Sequence, residues 1–145
     1  MNQELKAYMD IRLKANQFIN YIGLELVDID KNCATMQLKI QEHHMQHTGF
    51  THGGVLATLC DVCTGIAAYT VVDTEKNVLT VDLKVSFVNP STAPMVKATG
   101  QVIKAGQNLI FCEAEVWDVF ANGDEKLVAT CVSIMAAVDV RPKQQ

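Results

Sequence analysis

The stretch "QHTGFTHGGVLATLCDVCTGIAAYTVV", residues 46–72, decides how the rest of the chain folds. From about residue 53 to 72 it is apolar on nearly every side and reads as one long helix. The run 55–72 approaches membrane-spanning length, but Thr58, Asp61, Thr64 and Gly65 interrupt it, so a core helix is expected. Such a helix has to be covered on most sides. Its one carboxylate, Asp61, is the anomaly, because burying an unpartnered carboxylate is costly. Asp61 is therefore either a structural pair, capped by Thr58 or Thr64 one turn away, or a reactive group.

The flanks supply the cover. Over residues 4–20, Leu5, Tyr8, Met9, Leu13 and Ile19 make an amphipathic helical pattern that Gly23 ends. "LELVDIDKNCATMQLKI" (24–40) predicts two strands around a turn at Asp30-Lys31-Asn32, with Ala34, Met36, Leu38 and Ile40 on the inner face. A polar, histidine-rich loop follows over 41–51. Beyond the helix, Leu79, Val81, Leu83, Val85 and Phe87 alternate with Thr80, Asp82, Lys84 and Ser86 until Asn89-Pro90 stops the strand. Three more strands are expected over 95–104, 109–120 and 126–138, joined by turns at 105–108 and 122–124. Phe111, Trp117 and Phe120 are expected in the core or at a face between copies, and "RPKQQ" (141–145) as a frayed tail. The order helix, two strands, long helix, four strands is α+β. A single antiparallel sheet covers such a helix only by curling around it.

The totals agree. A chain of 145 residues suits one domain, spanning 1–145, with a real core. A net charge of −4 offers nothing to draw nucleic acid or an anionic membrane. Five cysteines without disulfide-framework spacing, and no secretory signal, point to a reducing cytoplasm. Cys60 and Cys63 are formally Cys-x-x-Cys, but they lie mid-helix in apolar surroundings, where core packing is expected over redox chemistry. His43, His44, His47 and His52 lack the spacing of a metal site, apart from the His43/His47 pair, and most of these loop histidines are expected to be solvated.

Two features carry chemistry. Gly53 and Gly54, where the long helix starts, allow a ligand to approach backbone N–H donors at the positive end of the helix dipole. That is a ready oxyanion hole. Asp61 is the candidate base or nucleophile. His52 is expected to orient the loop on the helix. Gly53 and Asp61 are eight residues apart, which is ~12 Å at the rise of an α-helix. An aspartate side chain does not cross that gap, so groups acting on one substrate have to come from two chains. A homodimer with sites between copies follows.

Gln46-x-x-Gly49-x-x-His52-Gly53-Gly54, then Asp61 within "LATLCDVCTGIAA" and later "LTVDLKVSFVNP", resembles the hotdog-fold acyl-CoA thioesterases of the phenylacetate-degradation type over residues 20–138. The family usually has Asn where this chain has Gln46. The resemblance implies a curved antiparallel sheet wrapped around a long central helix, and hydrolysis of an acyl- or aryl-CoA thioester without a metal or redox cofactor. It implies a homodimer that pairs again into a dimer of dimers. Gln46 and Gly53 would come from one subunit, Asp61 and Thr80 from the other, with the Thr80 hydroxyl placing the attacking water. Leu56, Tyr69 and the first helix are candidates for the acyl pocket. For CoA the resemblance points to Gly54, to the strand end with Phe87, Asn89, Pro90 and Ser91, and to the hairpin with Lys104, Gly106, Gln107 and Asn108. Two rivals remain: a hotdog dehydratase or hydratase, whose Phe-Pro-x-x-Pro run this chain lacks, and a non-catalytic acyl-CoA-binding module.

Overall fold

The apolar run does form the central helix of the computed structural model, which describes residues 1–140. The segment 141–145 lies outside the described residues. The elements in chain order are helices α1 (Gln3–Ala15) and α2 (Gln17–Ile22), strands β1 (Glu25–Asp30) and β2 (Cys33–Lys39), helix α3 (Gly53–Tyr69), and strands β3 (Lys76–Phe87), β4 (Met95–Ala105), β5 (Leu109–Val119) and β6 (Glu125–Asp139). All strand pairs are antiparallel, in the order β1-β2-β4-β5-β6-β3. The sheet wraps α3, whose Leu59, Cys60, Cys63 and Ala67 are wholly buried against Ala34, Met36, Ala98 and Val116. Gly100 on β4 makes this close seat possible. A Cβ there would stand 2.8 Å from the Cys63 carbonyl oxygen and 3.1 Å from the Thr64 nitrogen, both backbone atoms that cannot swing aside.

Four local expectations need correction. The first helix is two helices, because Asn16 takes extended backbone (φ −90°, ψ 97°) and its side chain accepts from the Ile19 N–H at 3.1 Å. An asparagine whose side chain accepts from the backbone three residues on favours starting a new helix over continuing the old one. The central helix ends at Tyr69, not 72. There the Thr70 hydroxyl donates to the Ala67 carbonyl at 2.7 Å and accepts from the Asn32 N–H at 2.8 Å, tying the helix end to the β1–β2 turn. Of the two places expected for Phe111 and Trp117, only the core is overturned: both stand on the outer face of the sheet, since the inward parity of β5 belongs to Ile110, Cys112, Ala114 and Val116.

The fourth correction bears on function. β3 does not alternate as its sequence reads. Its register against β6 shifts between Thr80 and Asp82, leaving Val81 as an extra residue. Before this bulge the inward side chains are Val78 and Thr80; after it they are Leu83 and Val85, which pack on the core. Leu79 and Val81 are consequently 57% and 60% exposed. Bulges re-aim side chains in this way.

Candidate active site

Three consecutive residues set the tip of α3. His52 holds extended backbone (φ −61°, ψ 134°) and its Nδ1 accepts from the Gly54 N–H at 2.9 Å. The Val55 N–H donates to the His52 carbonyl at 2.9 Å. The Gly53 N–H is thereby left without an acceptor among the described residues. A Cβ on Gly54 would stand 3.0 Å from His52 Nδ1, so the imidazole caps the helix because residue 54 is glycine. His52 is the N-cap, and the donor facing outward is Gly53.

Gly53 opens on a groove of about 430 Å³ that it shares with Gln46 and Leu56. The opposite wall is the strand end with Phe87, Asn89, Pro90 and Ser91. The Gln46 side chain makes no hydrogen bond among the described residues, while its backbone closes the loop through the Phe50 carbonyl at 2.9 Å. His44 anchors that loop from behind. It is 1% exposed, accepts from the Gln41 N–H at Nδ1 (2.9 Å) and donates from Nε2 to the Ile22 carbonyl (2.8 Å). His44 is therefore packed inside, not solvated as read from the loop composition.

Asp118 was not anticipated. This carboxylate is fully buried on β5, where it accepts from the Ser91 hydroxyl and from the backbone N–H groups of Thr92 (2.8 Å) and Ala93 (3.2 Å). Lys126 Nζ lies 3.7 Å away. Asp118 thus fixes the wall of the groove. A signal was present: it continues the inward parity of Ile110, Cys112, Ala114 and Val116 with a charged residue.

Asp61 lies one cavity away. It is half-buried on the one stripe of α3 that the sheet leaves open. The Thr80 hydroxyl donates to Asp61 Oδ1 at 2.6 Å. Thr58 and Thr64 do not cap the carboxylate; their hydroxyls donate to the backbone carbonyls of Gly54 (2.8 Å) and Cys60 (2.8 Å). The cavity at Asp61 and Thr80 measures about 420 Å³. Met9, Leu13, Ile66 and Met135 give it apolar walls, and Arg12 and Tyr69 a polar one. Of the acyl-pocket candidates, Tyr69 and the first helix line this cavity, whereas Leu56 lines the groove at Gly53.

Within one chain the predicted site residues therefore fall into two groups. Asp61 and Thr80 share one cavity; Gln46, Gly53, Phe87, Asn89, Pro90 and Ser91 share another. Lys104, Gly106, Gln107 and Asn108 form the β4–β5 hairpin and line neither. That hairpin lies at the sheet end where Leu109 and Leu79 both pair with Ala136, opposite the end where Phe87 pairs with Ala129.

The thiols belong to the core. Cys63 Sγ donates to the carbonyls of Ala34 (3.2 Å) and Ala98 (3.3 Å), and burial pushes its thiol up to about 12. Among the described residues no three His, Cys, Asp or Glu side chains gather as a metal site, and no helix is long and apolar enough to cross a membrane.

Known proteins share the sequence pattern and the fold of this chain. The sequence profile of the thioesterase superfamily matches residues 48–119. A Pseudomonas aeruginosa protein bearing an esterase name is 31% identical over 98 residues, 67% of this chain and 69% of that one. Acyl-coenzyme A thioesterase 13 of Homo sapiens is 27% identical over 120 residues, 80% of this chain and 84% of that one. Among solved structures, a thioesterase family protein from Silicibacter pomeroyi superposes with a TM-score of 0.89 at 23% identity, covering 94% of this chain and 99% of that one. The fold is the hotdog fold.

Proposed function

This chain belongs to the thioesterase superfamily and is a thioester hydrolase, and from that premise we propose that it cleaves an acyl- or aryl-CoA ester to the free acid and CoA, with Asp61 as general base. One observation carries the assignment of Asp61: its carboxylate is anchored by Thr80 at 2.6 Å and opens on an apolar cavity. Thr80 occupies Oδ1, and Oδ2 has no hydrogen-bond partner among the described residues. A water accepted by both Oδ2 and the Thr80 oxygen is held in one orientation. Asp61 takes a proton from it as its oxygen bonds to the thioester carbon. The carbonyl oxygen becomes an oxyanion held by the Gly53 N–H, with the Gln46 amide beside it. The C–S bond then breaks. The thiolate of CoA leaves and takes up the proton, and the acid product keeps the water oxygen. A thiolate leaves readily, so the chemistry asks for one good base and an oxyanion donor.

The separation of the two groups supports a dimeric site. Gly53 and Asp61 stand eight positions apart on one helix, ~12 Å along α3. β3 is twelve residues long, forms one edge of the sheet and exposes Leu79 and Val81. Unpaired edges of that length invite another strand. Pairing two β3 edges antiparallel would bring the Thr80 end of one copy to the Phe87 end of the other. It would also bring the 104–108 hairpin toward the partner's 87–91 segment, where CoA would lie. The hydroxyl of Ser91 and the amide of Asn89 are already committed, to Asp118 and to the Leu127 carbonyl (2.8 Å). In that segment we assign CoA contacts to the backbone and to Phe87.

The test is thiol release from aliphatic and aryl CoA esters by wild type and Asp61→Asn. Loss of turnover with retained affinity is expected. Unchanged release in the variant would remove Asp61 from the chemistry, and binding without release in wild type would favour a binding module.

A further inference from the structure

Arg12 sits in the Asp61 cavity without a counter-ion. No carboxylate lies within salt-bridge distance of it among the described residues. Its guanidinium lies over the faces of Tyr8 and Tyr69, at 4.9 Å and 4.6 Å from the ring centroids, where the two rings meet edge to face. Its terminal nitrogens donate to four neutral oxygens: the Tyr69 hydroxyl (3.3 Å), Asn77 Oδ1 (3.0 Å), and the carbonyls of Thr74 (3.2 Å) and Lys76 (3.3 Å). Three of these bonds are long, and Nε makes none among the described residues. Asp61 and Arg12 are the charged residues lining the cavity. Tyr69, which holds Arg12, lies eight residues beyond Asp61 on α3, ~12 Å along the helix. The cavity therefore has a carboxylate at one station, apolar walls between, and an unpaired planar cation at the other.

We infer that the Arg12–Tyr69 end of this cavity takes the anionic terminus of an acyl chain, so that the substrate class is an ω-carboxyacyl-CoA. The inference rests on reading the Asp61 cavity as the acyl site. A methyl terminus would meet a half-buried charge and lose its hydration there. A carboxylate would replace long bonds to neutral oxygens with charge-assisted ones, and the fork geometry of arginine suits it. The thioester carbonyl then lies by Asp61 while the chain crosses Met9, Leu13 and Ile66.

Matched esters test it: adipoyl- against hexanoyl-CoA and suberoyl- against octanoyl-CoA, by thiol release and, on Asp61→Asn, by calorimetric binding. In wild type the ω-carboxyl member of at least one pair is expected to have kcat/KM about tenfold higher, carried by KM. Arg12→Gln brings the ratio to about one, and Arg12→Lys retains part of it. The wild-type ratio decides even where Arg12→Gln loosens α1, which melting curves report. A ratio at or below one in both pairs, or one unmoved by Arg12→Gln, overturns the inference and leaves hydrolysis standing. Selective binding of the ω-carboxyl esters without thiol release leaves the subsite standing and sinks hydrolysis.

Discussion

Thr80 meets Asp61 because β3 is bulged at Val81: the hydroxyl donates to Oδ1 at 2.6 Å on the last inward position before the parity changes. An unbulged strand keeping Leu83 and Val85 in the core would put Val81 inward and turn Thr80 to solvent. The bulge therefore belongs to the site as much as the carboxylate does. Thr80→Val is expected to lower kcat about ten- to a hundredfold, the worth of one hydrogen bond to a charged group. Thr80→Ser keeps most activity. Steady-state thiol release on the two variants checks this, and equal rates would detach Thr80 from the reaction.

The Gly53 N–H can be removed without removing the helix. Gly53 is the first residue of α3, where proline is tolerated, and His52 before it already holds the extended backbone that a following proline requires. A Cβ at position 53 meets the Phe87 ring at 3.5 Å, an ordinary contact. Gly53→Pro should therefore melt close to wild type while kcat falls about 10²- to 10³-fold, as for other lost oxyanion donors. Full activity in a folded Gly53→Pro protein would show that the free N–H is idle.

How much of this was legible follows from the physics of each part. The central helix announced itself because a segment apolar on every side has few other fates, and the strands because period two is robust. Asp61 stood out as a charge in that run. Thr80 was legible only through family resemblance, because a bulge is set by pairing with β6 and leaves β3 reading as an unbroken alternation. Asn16 broke a helix that the apolar pattern carried through, since the pattern does not weigh a side chain that caps the Ile19 N–H. Asp118 was readable as a charge at inward parity, yet its partners, Ser91 to Ala93, lie 25 residues and more away in sequence.

Asp118 fixes the groove wall at Ser91, Thr92 and Ala93. Asp118→Ala leaves a buried hydroxyl, two N–H groups and Lys126 short of a partner, so about 3–5 kcal/mol of stability should be lost. Asp118→Asn, which keeps one acceptor oxygen, should lose less. Urea denaturation gives the stability difference, and equal midpoints for wild type and Asp118→Ala would contradict this role.

Cys63 should make the fold sensitive to alkali. Its thiol is pushed from an ordinary value of 9.0 up to about 12, mainly by burial. A group whose folded value is raised stabilises the fold fully below its unfolded value and loses that contribution as pH rises through the folded one. Stability should therefore fall between pH 9 and 12, and Cys63→Ala should flatten that part of the denaturation profile. In the native state near pH 8, iodoacetamide should spare Cys63 until urea opens the core. Rapid native labelling of Cys63, read by mass spectrometry, would show that the core is not closed.

Mixed dimers test whether each site draws on two copies. In the proposed dimer every site pairs the Gly53 of one chain with the Asp61 of the other. A heterodimer of Gly53→Pro with Asp61→Asn then has one site carrying both lesions and one carrying neither. Two inactive proteins, mixed and allowed to exchange subunits, should recover about a quarter of wild-type activity, since random pairing gives about half heterodimers with one good site each. Sites built within single chains would leave every species with one lesion per site and the mixture inactive. The same outcome would follow if copies did not exchange, so refolding the variants together from urea is the decisive arm, with sedimentation confirming at least two chains per particle. Activity recovered there is the signature of a carboxylate and a helix tip, ~12 Å apart on one helix, meeting across a two-fold axis.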